Sequence, residues 1–96
     1  MSISKFVSVR PMLSRGGNPT PNQLIMSDPY GETFVSYGTK IAFRSITNKV
    51  VLDKNYWDYS RTTGKYRNEF LGMGVEDCRK GIKDGSIQLV DLNEKS

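Results

Sequence analysis

Histidine is absent from the 96-residue chain, and cysteine occurs once, at Cys78. Without imidazole the sequence has neither the usual general base for neutral pH nor the commonest metal ligand. Carboxylates alone are not how structural zinc is held, so metal sites and catalytic triads fall away together. A single thiol excludes an intramolecular disulfide and fits a reducing compartment, with a buried structural cysteine as its expected role. No apolar run approaches the roughly 18 to 20 residues of a membrane span. The opening MSISKFVSVR has no apolar signal core or small-residue cleavage site. The expectation is a protein of a cytoplasm that is neither exported nor set in a membrane. Repeats at solenoid periods are also missing.

What is present describes one small folding unit. A chain of this length with 36% apolar residues has material for one core, so residues 1–96 are read as a single domain. Fourteen basic residues against ten acidic ones leave +4, a mild bias toward anionic partners. The excess is uneven. Residues 1–67 hold ten Lys or Arg and four Asp or Glu, and residues 68–96 hold four and six.

The apolar pattern predicts an α+β domain: a small antiparallel sheet of about four or five strands, with two short helices before the last strand. Lys5 to Arg10, KFVSVR, reads as an edge strand. Arg10 to Asn22 carries three prolines and two glycines and reads as a loop, the most mobile internal segment. Its Arg15-Gly16-Gly17 is a single copy of a nucleic-acid-type triplet and most simply a turn. Gln23 to Ser27 reads as a strand ended by the turn Asp28-Pro29-Tyr30-Gly31. From Thr33, the residues Val35, Tyr37, Ile41 and Phe43 alternate with polar positions, predicting one strand with a bend at Gly38 and this set facing the helices. A Thr-Asn turn within Ser45 to Lys49 then leads to Val50-Val51-Leu52, completing a hairpin.

Tyr66, Phe70 and Met73 recur at spacings of four and three, predicting a helix capped by Thr62 or Thr63. After Gly72-Met73-Gly74, a second helix presents Val75, Cys78 and Ile82 on its apolar face. Glu76 and Asp77 lie in its first turn, Lys80 and Lys83 near its end, and Gly85 beyond it. SIQLVDL reads as the final strand, before a polar tail.

The chemically densest stretch is Lys54 to Asn68, KNYWDYSRTTGKYRN. It sets Tyr56, Trp57, Tyr59 and Tyr66 among Lys54, Arg61, Lys65 and Arg67, and Tyr56, Trp57, Tyr59, Arg61, Lys65 and Arg67 are the candidate binding residues. Aromatic faces stack on bases and cations neutralise phosphates, so this mixture meets the needs of a single-strand nucleic-acid surface. Tyr, Trp and Arg are equally the residues of protein hot spots. The bland reading is that the aromatics plug the core and the cations form a solvated face, and it carries about two-thirds of the weight. Gly64-Lys65 has neither the glycine five positions earlier nor the hydroxyl residue of a phosphate loop, those places being Tyr59 and Tyr66. Glu76 with Asp77 point about 100 degrees apart on a helix, and nothing places Asp53 beside Asp58. No catalytic residues, metal or cofactor are expected.

FVSYGTKIA at Phe34 to Ala42, followed by VLDKNYWDYSRTTGKYRN at Val51 to Asn68, resembles small accessory proteins of tailed bacteriophages. The shared pattern is Ser-Tyr-x-Thr in a strand, a hairpin, then Tyr and Ser-x-Thr-Thr-x-Lys entering a helix. It falls on Ser36, Tyr37, Thr39, Tyr56, Tyr59, Ser60, Thr62, Thr63, Lys65 and Asn68. Those proteins usually begin near the Ser-Tyr strand, which makes Arg10 to Asn22 an extension. The resemblance implies a phage protein in the bacterial host cytoplasm that acts by stoichiometric binding. A host or defence protein is the expected partner. A single-stranded nucleic-acid domain is the alternative, and a virion structural role is more distant.

Overall fold

The structure, a computed structural model, describes residues 8–14 and 16–93. Its elements follow in the order β1 (Ser8–Leu13), β2 (Pro19–Asp28), β3 (Gly31–Ser36), β4 (Thr39–Ser45), β5 (Val50–Asp53), α1 (Arg61–Leu71), α2 (Val75–Asp84) and β6 (Ile87–Val90). The fold is α+β, with a six-stranded mixed sheet in sequential order. Antiparallel hairpins join β1 through β5, and β6 pairs parallel with β5. The parallel pair corrects the all-antiparallel expectation and follows from the two-helix connection, because parallel neighbours need a long crossover.

The expected loop from Arg10 to Asn22 is mostly strand. Its prolines occupy positions with no ladder bond to lose. Pro11 lies in edge strand β1 opposite Leu24. Pro19 and Pro21 lie in the early part of β2, which β3 joins only from Gln23 onward. Proline is tolerated at such one-sided positions. The turn itself is short, closed by bonds from Ser14 N to Asn18 O and from Gly17 N to Ser14 O. Arg15, and the Lys5 to Val7 part of the expected first strand, lie outside the described residues.

The expected single strand from Thr33 to Arg44 is a hairpin. Tyr37 and Gly38, with φ of 52° and 80°, form a two-residue turn between β3 and β4. Positive φ at both central residues matches the right-handed twist of the flanking strands. A bulge follows: Phe34 pairs Ala42 and Val35 pairs Lys40, leaving Ile41 as the extra residue. Ile41 and Ala42 therefore both enter the core, with Phe34, Leu52, Tyr66, Phe70, Leu71, Cys78 and Ile87. The expected set does not share a face. Tyr37 is an exposed turn residue, and Val35 and Phe43 stand on the sheet face away from the helices.

The β2–β3 turn is held as expected, with Asp28 Oδ1 accepting from Tyr30 N at 2.8 Å and Gly31 N at 3.1 Å. A Cβ at Gly31 would stand 2.3 Å from the Arg44 carbonyl oxygen, so only glycine fits there. Ser60, rather than Thr62 or Thr63, caps α1, and Gly72 ends it in left-handed conformation. Met73 sits past the helix end, partly packed on the core. In α2, Cys78 is fully buried and Ile82 packs against the core, as the spacing predicts, and Gly85 ends it with φ 87°. Both helices cover one face of the sheet. Among the described residues no helix is long and apolar enough to cross a membrane.

Candidate binding site

The segment from Lys54 to Ser60 connects the end of β5 to α1, and a buried charge holds each of its ends. At the first end Asp53, fully buried, receives four N–H donors. Asn55 N and Tyr56 N donate to Oδ2 at 3.0 and 2.8 Å, and Leu92 N and Asn93 Nδ2 donate to Oδ1 at 2.8 and 3.1 Å. At the other end Arg67, 1% exposed, reaches back from α1. It donates to the Trp57 carbonyl oxygen at 2.6 Å, to Asp58 Oδ1 at 3.2 Å and to Asn68 Oδ1 at 2.9 Å. Its guanidinium lies 5.1 Å from the centre of the Trp57 ring.

This clamp sorts the six expected binding residues. Trp57 is half-buried against the core, as the bland reading has it, whereas Arg67 is internal, neither part of a solvated face nor free for a ligand. Tyr56 and Tyr59 remain 42% and 47% exposed, their rings edge to face with centres 5.5 Å apart. Arg61 and Lys65 are exposed one helical turn apart on α1, and Lys65 Nζ lies 5.4 Å from the Tyr66 ring centre. The structure thus brings together a tyrosine pair and two helix cations, on a loop whose backbone is fixed from beneath.

The residues of the Ser-Tyr-x-Thr and Ser-x-Thr-Thr-x-Lys pattern largely stitch this segment to the sheet. Ser36 and Thr63 hydroxyls meet at 2.9 Å in the interior. Ser60 Oγ accepts from Thr63 N at 3.1 Å, and Asn68 Oδ1 receives Arg67. Beside them a shallow cleft is lined by Thr20, Asn22, Gln23, Tyr37, Thr62 and Tyr66. The buried Gln23 lends it an amide whose Oε1 has no partner among the described residues. Sequence reading missed Gln23 and Thr20, having placed one in a plain strand and the other in a loop; no spacing marks either.

The imagined acid–base pairs dissolve. Asp53 is saturated with donors, and Asp58 binds Arg67 and, at 3.6 Å, Arg79. Glu76 and Asp77 lie in the first turn of α2, where Asp77 accepts from Gly74 N at 3.4 Å. Burial pushes the Cys78 thiol up, partly opposed by the Arg67 guanidinium beside it, so at neutral pH it is a neutral packing group. Among the described residues no cluster of His, Cys, Asp or Glu is arranged to hold a metal ion.

No curated protein and no solved structure matches the chain. The family match runs over residues 7–88, taking in the β1–β2 hairpin, both helices and the start of β6. The chain belongs to this family, the family of unknown function DUF8033.

Proposed function

We propose that the chain is a non-enzymatic binding protein whose contact surface is the tyrosine loop and the adjacent turn of α1. Tyr56 and Tyr59 supply the anchors, and Arg61 and Lys65 supply the polar rim. The observation that carries this reading is the pair of exposed tyrosines on a backbone fixed by Asp53 and Arg67. A rigid aromatic pair loses little conformational freedom on binding, which is what hot-spot residues require. The resemblance to small phage proteins supports a host or defence protein as the partner, met in the bacterial cytoplasm. A protein target is favoured over nucleic acid because burial of Arg67 removes one of the four cations of the Lys54 to Asn68 stretch from any phosphate track.

The test is affinity capture from bacterial lysate with the tagged wild type and with Tyr56→Ala/Tyr59→Ala. A specific protein retained by the wild type after nuclease treatment, and lost by the double variant at unchanged circular dichroism, is the expected result. Loss of about 2 kcal/mol per anchor is typical at a hot spot. Capture that disappears with nuclease, joined by oligonucleotide binding that weakens steeply between about 50 and 200 mM salt, would transfer the surface to nucleic acid.

A further inference from the structure

The tyrosine loop carries charge that the fold does not balance. Of the four cations between Lys54 and Asn68, Arg67 is internal, and Asp58, the one acid of that stretch, is taken by Arg67 at 3.2 Å and Arg79 at 3.6 Å. Lys54 at the head of the loop and Arg61 and Lys65 on α1 are exposed, and among the described residues none of them meets a carboxylate. Glu69, one turn beyond Lys65, forms no ion pair with it. The placement also opposes helix stability. A helix start favours acidic side chains and disfavours cations. The second helix follows that rule, with Glu76 and Asp77 in its first turn and Lys83 in its last, whereas α1 begins on Arg61 with no acid in its first turn. Charge that neither pairs internally nor supports its own helix is left to act outward.

Resting on the tyrosine-loop reading, we infer that the surface bound there is an acidic patch of a protein, its carboxylates set against Lys54, Arg61 and Lys65 around an apolar centre that takes Tyr56 and Tyr59. Charge complementarity selects this partner. Three cations without an internal counter-charge border two half-exposed rings, and a neutral or basic partner would desolvate them at the rim with nothing in return. Ring geometry selects protein over a nucleic-acid strand. Successive bases stack on aromatic faces parallel to their own planes, but the Tyr56 and Tyr59 planes meet at 81° and cannot serve two stacked neighbours. An irregular protein surface can meet a ring edge and a ring face at once. The roles then divide. The tyrosines set how long the complex lasts and the cations set how fast it forms, because rim charges act mainly on encounter.

The experiment takes the protein that the tyrosine pair captures from bacterial lysate and joins it to the full chain with a zero-length carbodiimide, which condenses a lysine amine with a carboxylate. Peptide mapping should find Lys54 or Lys65 joined to Asp or Glu of the captured protein. Association kinetics give the second readout. Arg61→Glu/Lys65→Glu should lower the on-rate at least about tenfold at about 50 mM salt and leave the off-rate within about threefold, with Arg61→Gln/Lys65→Gln between it and the wild type. Lys49→Glu/Lys83→Glu makes an equal change of net charge at the far end of β5, where α2 ends, and should keep the on-rate within about threefold. No link at Lys54 or Lys65, an on-rate unmoved by the reversal on α1, or an equal loss in the control pair would overturn the acidic partner. Loss of capture with Tyr56→Ala/Tyr59→Ala would still hold in those cases, so the tyrosine-loop reading would stand. Capture that nuclease removes would assign the cations to phosphates instead, and no tyrosine-dependent capture at all would remove both readings.

Discussion

Arg67 sits in the interior with its charge, and all but one of its donor atoms find acceptors: Nη1 and Nη2 are satisfied, while Nε has no partner among the described residues. Truncation would strand the Trp57 carbonyl and the Asn68 amide and open a void beside Gly64, whose Cα side faces the guanidinium. Arg67→Ala should therefore cost on the order of 3–5 kcal/mol, as for other broken buried charge networks. The check is the urea midpoint, together with a red shift of the emission of Trp57, the single tryptophan. Cys78 is tested beside it. Because burial holds its thiol neutral and out of water, a small thiol reagent at pH 8 should label it only at the rate at which the domain opens. Prompt labelling of the native protein would place Cys78 elsewhere.

At the scale of elements, the weak points are turns and caps. Tyr37 adopts φ of 52° beside Gly38, in a turn that favours asparagine or glycine at that place. Tyr37→Asn should stabilise the domain by about 1 kcal/mol, raising Tm by roughly 4–8 °C for a chain of this size. An unchanged Tm would mean the tyrosine ring makes compensating contacts across the cleft with Thr62 and Tyr66. The start of α1 is the other point, since Ser60 satisfies Thr63 N while the Thr63 hydroxyl bridges to Ser36 in the interior. Ser60→Ala should cost about 1 kcal/mol. Thr63→Val, which leaves the Ser36 hydroxyl buried without its partner, should cost about 1–3 kcal/mol. Both are read from thermal denaturation.

For the whole molecule, pH reports on a charge cluster that ties β1, β3, β4 and α1 together. Glu32 accepts from Arg10 at 3.0 Å and Arg44 at 3.4 Å, and Arg44 also donates to the Phe70 carbonyl oxygen at 3.0 Å and lies over its ring. The Arg10 hydrogen bond holds the Glu32 carboxyl below its ordinary value against the opposing effect of burial, with Arg44 adding to it. A depressed folded-state pKa means the contribution is present above the unfolded value of about 4.3 and is lost as pH falls through the folded one. Stability should thus decline on acidification below about pH 4.3. Glu32→Gln should flatten that decline while leaving the neutral-pH slope alone. The effect is modest because all three side chains are about a third or more exposed.

Residue order by itself determined what local chemistry can decide. The α2 apolar face through Cys78 and Ile82, its Gly85 stop, the Asp28-Pro29-Tyr30-Gly31 turn and the β4–β5 hairpin all follow from spacing and turn residues that act within a few positions. Only tertiary structure decided the rest. Prolines that rule out a central strand are tolerated where a neighbour is missing, and which side is missing depends on where β3 stops. The alternation from Val35 to Phe43 spans a turn and a bulge, so its period is preserved in sequence while its face changes in space. The candidate site divided for the same reason. Tyr56, Trp57, Tyr59, Arg61, Lys65 and Arg67 look alike as a string, but the path of the chain between Asp53 and α1 turns Arg67 and Trp57 inward and leaves the tyrosine pair outside. Burial is a property of that path and of the neighbours it meets, and those neighbours come from residues far away in the chain.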